Sequence, residues 1–278
     1  MKLYAFSTGY FPVIGGVMRS DRPWKLVRMP MVCFLIEERE GLTLIDTGFG
    51  RTTIEDPAKF PGRLSKLLLS FRIREGEDAL SRVRQLGYDA HDVKDIILTH
   101  FHIDHTGGVP DFPAARIHSS RKEYDSYIER GHRFTSFYHR GAFAHDPPRE
   151  LHDFTDEERF GFPRTRDLRG DGKIILIDLA GHTAGHMGVA VRTGDRTIIH
   201  LGDAALFEEQ FTEPASIGFG TRIFRWISDY LPDEEERVRQ LLATVRRTHP
   251  HLEMFCSHDA WKFEGIPKFP EPLAEDGE

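Results

Sequence analysis

Thr99-His100-Phe101-His102-Ile103-Asp104-His105 places four metal-capable side chains, His100, His102, Asp104 and His105, within six residues. The apolar run Val93-Lys94-Asp95-Ile96-Ile97-Leu98 leads into it and reads as a buried strand, with Gly107-Gly108 turning the chain soon after. In an extended segment, residues two apart point the same way, so His100 and His102 can face one ion. Asp104 and His105 fall where the chain turns and can reach a second ion beside the first. Zinc accepts imidazole and carboxylate ligands and keeps a position open for water in catalytic sites.

Three later places supply further ligands. Gly181-His182-Thr183-Ala184-Gly185-His186 follows the apolar run 174–180, His200-Leu201-Gly202-Asp203 ends the run from Thr197, and Ser257-His258-Asp259 follows 252–256. His182, Asp203 and His258 each stand just past a strand end, the usual way an α/β scaffold supports a rigid site. Five histidines and two aspartates make seven ligands, the number expected for two adjacent metals sharing a bridging carboxylate. His200 and His118 read instead as satisfied buried histidines. His132, His139, His145 and His152 lack a strand-end setting and read as surface residues.

At these residues the chain resembles the metallo-β-lactamase-fold hydrolases, from Asp46-Thr47-Gly48 to His258. The resemblance implies an α/β fold, an αββα four-layer sandwich with two mixed β-sheets between helices. It implies that His100, His102 and His182 hold one metal, that Asp104, His105 and His258 hold the other, and that Asp203 bridges them. Asp104 and Asp203 are then the catalytic carboxylates, and Asp46 orients a ligand imidazole from behind. Met29–Glu37 and Leu86–Val93 are similar to the N-acyl homoserine lactonase branch. Leu206 stands where that branch carries a tyrosine, so either Tyr10, Tyr138 or a backbone amide replaces its hydrogen bond, or the substrate does not need that contact. The segment between His105 and His182 is also longer than is usual in the branch.

Length and charge fit this outline. At 278 residues and 39% hydrophobic content, one large α/β domain over 1–267 is expected. Residues 268–278 read as a flexible acidic tail. A net charge of −7 argues against a broad nucleic-acid-binding face, and the arginines of 63–84 are interleaved with acids, as on a solvated helix. No segment has the length of a membrane span, and Met1–Thr8 lacks a secretory apolar region, so a cytoplasmic protein is expected. Cys33 and Cys256 sit in apolar strands as buried thiols.

Strands are expected at 3–6, 31–37 and 42–46, the last two joined as a hairpin at Glu40–Gly41. A helix is expected from Asp78 to Gly87, through Leu80, Val83 and Leu86. Arg192–Asp195 marks a second hairpin. Asp233 is expected to cap a helix that buries Val238, Leu241, Leu242 and Val245. Two apolar stretches are candidates for a substrate wall: Lys59–Arg74, with Leu64, Leu67, Leu68, Leu69 and Phe71, and Ile217–Tyr230, with Phe219, Phe224, Trp226 and Ile227. Leu206, Phe207 and Phe219 are the residues expected to bind substrate. The same apolar stretches make a homodimer an option.

The expected cofactors are two divalent ions, zinc first, although iron, manganese and cobalt suit the same ligands. Zinc lowers the pKa of a bound water from 15.7 to about 7, on the order of 12 kcal/mol in favour of hydroxide. A hydroxide bridging the metals would attack a carbonyl, and Asp104 could guide the proton to the leaving oxygen. The expected substrate is a small molecule with a lactone or other ester carbonyl, N-acyl homoserine lactone among them. Two alternatives stay open: a thioesterase of the glyoxalase II kind, and an iron-dependent redox enzyme of the persulfide dioxygenase type on the same ligands.

Overall fold

The computed structural model describes residues 1–51, 55, 71–129, 137–138, 140–228 and 230–276. Among the described residues, one sheet has seven strands in the order β12-β1-β2-β3-β4-β5-β6. These are β1 (Lys2–Ile14), β2 (Leu26–Glu38), β3 (Gly41–Ile45), β4 (Val93–Ile97), β5 (Arg116–Ser120), β6 (Arg149–His152) and β12 (Ala274–Glu275). The other sheet has the order β11-β10-β9-β8-β7, from β7 (Thr165–Asp167), β8 (Ile174–Asp178), β9 (Met187–Thr193), β10 (Arg196–His200) and β11 (Glu253–Phe255). Both are mixed: β3 to β6 pair in parallel and β10 pairs parallel with β11, while the other pairings are antiparallel.

Side-chain alternation shows why the apolar runs are continuous. In β2, Cys33 and Leu35 enter one core while Val32, Phe34 and Ile36 enter another. In β8, Ile174 and Leu176 face the first sheet, and Ile175 and Ile177 face away from it. β2 and β8 are therefore covered on both faces, which is why their middles are apolar. The shared inner core lies between the sheets. The two outer cores receive helices: Leu80 and Val83 of α1 (Ala79–Gln85) on one side, Val238, Leu242 and Val245 of α4 (Pro232–Thr248) on the other. This is the αββα sandwich expected from the sequence.

Local signals explain most element ends. Asp78 caps α1 by accepting from the backbone N–H of Ser81, and Gly87 leaves the helix at φ 88°. β2 and β3 join through Arg39-Glu40, between the paired Glu38 and Gly41. β9 and β10 join through Gly194-Asp195, between the paired Thr193 and Arg196. Asp233 is not the cap of α4. Leu231 precedes the helix and Pro232 takes the first helical position, where its missing N–H costs nothing.

The expected tail is a larger correction. Ala274–Glu275 pairs with Lys2 and Leu3 of β1, Leu273 and Ala274 are buried, and the Phe269 ring packs against Tyr4 and Phe6. The amino group of Met1 pairs with Asp276. Acidic composition suggested fraying, but an open edge at β1 and the apolar residues among the acids dock the described part of the segment.

Candidate metal centre

The centre gathers at one end of both sheets, where β3, β4, β8, β10 and β11 finish and their following loops meet. His100 and His102 extend past β4, and a single helical turn (Ile103–Thr106) then presents Asp104 and His105. His182 comes from the loop after β8, Asp203 from the loop after β10, and His258 from the loop after β11. Gly202 makes the Asp203 loop feasible. Its φ is 56°, and a Cβ there would lie 2.6 Å from Nε2 of His186.

The ligand atoms fall into two groups. Nδ1 of His102 is 3.0 Å from Nε2 of His100 and 3.2 Å from Nε2 of His182. Asp104, His105, Asp203 and His258 form the second group. Oδ2 of Asp104 is 3.5 Å from Nε2 of His258, and Oδ1 of Asp203 is 3.4 Å from Nε2 of His105. The other oxygen of Asp203 lies 3.2 Å from His258 and 3.6 Å from His182, so this carboxylate faces both groups.

Polar groups behind the ligands set which ring nitrogen is available. Nδ1–H of His105 donates to Asp46 at 2.7 Å, and Nδ1–H of His258 donates to the carbonyl of Pro30 at 2.8 Å. Each ring then turns the lone pair of Nε2 toward the centre. Asp46 also accepts from the backbone N–H and the hydroxyl of Thr99, both at 2.8 Å. It reaches all three from a left-handed backbone, φ 58°, which aspartate tolerates better than most residues.

The donor set fits divalent cations. Burial holds His100 well below its usual pKa, and burial holds His102 and His182 down at about 3, so all three are neutral, as ligands must be. Burial also disfavours the charged forms of His105 and His258, but Asp203 and its neighbouring carboxylates outweigh it and raise both. His258 and His105 in turn hold Asp203 well below the carboxylate range against the opposing effect of burial. Nε2 of His105 and Oδ1 of Asp203 are buried without a hydrogen-bond partner. Orphaned polar atoms that face one another across such distances suit a cation.

Two buried residues escaped the sequence reading. Glu123 accepts from the backbone N–H of Phe101 at 3.0 Å and of Gly185 at 3.1 Å, tying the His100–His102 segment to the His182 loop. His186 accepts the Asp203 backbone N–H at 3.0 Å and so positions the carboxylate that faces both groups. Nothing local marks either role, although the repeated Gly-His of 181–186 flags His186 as a second candidate. His200 is satisfied as expected, donating to Val32 and accepting from Gly202. His152 is not a surface residue: it is buried at the end of β6. His132 and His139 lie outside the described residues.

The cavity over the ligands is lined by Phe11, Phe71, Phe137, Phe224, Ile103 and Ser228, with His102, Asp104, His182, Asp203 and His258 at its base. Phe71 and Phe224 come from the two expected wall segments, whereas Leu64, Leu67, Leu68 and Leu69 lie outside the described residues. The three expected substrate contacts do not line it. Leu206 and Phe207 pack in the core with Met29 and Phe49, because the chain turns inward after Asp203. Phe219 is 73% exposed, since the cavity takes the Phe224 face of the helix Phe219–Ser228 (α3). Among the described residues no tyrosine lines it: Tyr10 lies beside Arg28, and the Tyr138 hydroxyl donates to Glu123.

Residues 28–246 match the family model described as the metallo-beta-lactamase superfamily. The chain belongs to the metallo-beta-lactamase superfamily. Within that superfamily it is 34% identical over 231 residues to a probable metallo-hydrolase of Mycobacterium tuberculosis, covering 81% of this chain and 73% of that one. It is 28% identical over 234 residues to the N-acyl homoserine lactonase AttM of Azorhizobium caulinodans, 84% of each chain. A solved N-acyl homoserine lactone hydrolase, with product N-hexanoyl-L-homoserine at its catalytic metal centre, superposes with a TM-score of 0.74 at 21% identity over 98% of both chains.

Proposed function

We propose that this metallo-hydrolase opens a lactone or cleaves another carboxylic ester, with N-acyl homoserine lactones the first substrates to try. One observation carries the reading: seven imidazole and carboxylate donors form two groups sharing Asp203, at the base of a cavity walled by phenylalanines. Relatives named as N-acyl homoserine lactonases support the choice of substrate.

His100, His102 and His182 would hold one ion, Asp104, His105 and His258 the other, and Asp203 would face both. When bound, such a pair of ions supplies a hydroxide nucleophile near neutral pH and polarises the carbonyl oxygen. Asp104 lines the cavity with its side chain 14% exposed, against 6% for Asp203. Its carboxylate can therefore carry a proton to the leaving oxygen as the C–O bond breaks. Phe11, Phe71, Phe137 and Phe224 exclude water and offer an apolar seat for an acyl chain.

The test compares kcat/KM for N-acyl homoserine lactones of several chain lengths, simple oxyesters and an acyl thioester, using zinc-loaded protein. Preference for lactones, rising with acyl length, is the expected result. A thioester preferred over every oxygen ester would transfer the reading to the glyoxalase II kind.

A further inference from the structure

We propose that His118, Glu150 and His152 form an additional cation site, at the β6 edge of the larger sheet and separate from the centre above. It suits a divalent transition ion such as zinc. In the register of the neighbouring strands, His118 pairs with Glu150 and Ser120 with His152, so all three side chains rise from one face. Nδ1 of His118 is 3.0 Å from Nε2 of His152 and 4.0 Å from Oε2 of Glu150. One donor atom from each residue lies within 4.8 Å of the other two. The nitrogen spacing equals the 3.0 Å between His100 and His102. Zinc–nitrogen bonds of 2.0–2.1 Å in a tetrahedron set two nitrogens about 3.3 Å apart, so the rings need to part by only a few tenths of an ångström.

Asp95 distinguishes this cluster from an ordinary pair of buried histidines. Nε2–H of His118 donates to Asp95 at 2.9 Å. Burial opposes the charge of Asp95, but His118 and Arg169 outweigh it and keep this carboxyl ionised. The hydrogen bond to Asp95 engages Nε2 of His118 and turns Nδ1 toward His152. A carboxylate behind an imidazole does this for most metal-bound histidines, and Asp46 stands in the same relation to His105. Burial, with His118 beside it, lowers His152 to about 4, leaving that ring neutral. A cation would replace the hydrogen bond between the two facing nitrogens and gain Glu150.

Access and charge set the expected strength. Both imidazoles are buried while the Glu150 side chain is 47% exposed, which leaves a route in and an outer position for water. Arg116, 3.6 Å from Glu150, must give up that carboxylate, and Arg166 adds positive charge near His152. Affinity should accordingly fall below that of the main centre. Two imidazoles and one carboxylate select zinc, nickel or copper over calcium or magnesium. An ion held there would tie the edge strand β6 to β5.

The full-length chain, stripped of metal, is dialysed against increasing zinc and its metal content is measured beside His152→Gln, Glu150→Gln and Asp95→Asn. At saturation the wild type should hold one equivalent more than His152→Gln, whatever number the main centre takes. Glu150→Gln should bind that equivalent about tenfold more weakly, and Asp95→Asn roughly 10–100-fold more weakly. Equal content and equal affinity in the wild type and all foldable variants overturn the site. Glu150→Gln alters an exposed side chain, so it decides the matter even where His152→Gln fails to fold.

Discussion

Asp203 connects the two donor groups, and its neighbours in sequence explain why it can. Gly202 supplies the left-handed turn, His186 holds the backbone N–H, and His105 and His258 flank the carboxylate. Replacing His102 with Ala removes one imidazole from a three-histidine group, so metal content and hydrolysis should fall together. Elemental analysis alongside turnover checks this, and full activity at low metal content would contradict it. Asp46→Asn keeps the shape but loses the charge that faces His105 and Thr99. A loss of roughly 10–100-fold in metal affinity or activity is expected, and an unchanged variant would remove Asp46 from the site. The seven candidate donors that the structure gathers were legible in the sequence because His100, His182, Asp203 and His258 follow apolar runs, with His102, Asp104 and His105 close behind the first. Glu123 was not, because its partners, Phe101 and Gly185, come near it only through tertiary packing.

Apart from the Asp233 cap, elements with strong local signals matched their reading, and those decided by packing did not. Strand β8, the α1 cap and both hairpins follow from apolar period and turn residues. The facing of α3 could not be read that way, since Phe219 and Phe224 are equally apolar in sequence and only one lines the cavity. The His152 environment likewise depends on which strand lies beside β6. Two element-level outcomes can be measured. Gly202→Ala forces a Cβ into a positive-φ position against His186, so the denaturant midpoint should fall by the equivalent of about 1–3 kcal/mol. Burial raises the thiols of Cys33 and Cys256 well above their usual range. Both should therefore resist alkylation at pH 8 until the chain unfolds; rapid labelling of native protein would contradict their placement.

At the scale of the whole molecule, both sheets share one inner core and send their loops to one end. The candidate donors are therefore placed by both sheets together. The C-terminal segment belongs to that sandwich, since it closes the β1 edge and buries Leu273 and Ala274. Ending the chain at residue 267 should cost at least about 2 kcal/mol from lost apolar burial, a drop in Tm of roughly 4–8 °C. An unchanged melting curve would restore the frayed-tail view. Composition could not distinguish these outcomes, because acidic residues around a short apolar anchor look the same whether docked or free.

Proton release during hydrolysis of N-hexanoyl homoserine lactone, by zinc-loaded wild type beside Asp203→Ala, tests the central claim most directly. Steady acid production by the wild type, lost together with metal from the variant, is the predicted result. A fully metallated wild type that opens no lactone and cleaves no oxygen ester, or an Asp203→Ala chain that still turns over at the wild-type rate, would contradict it.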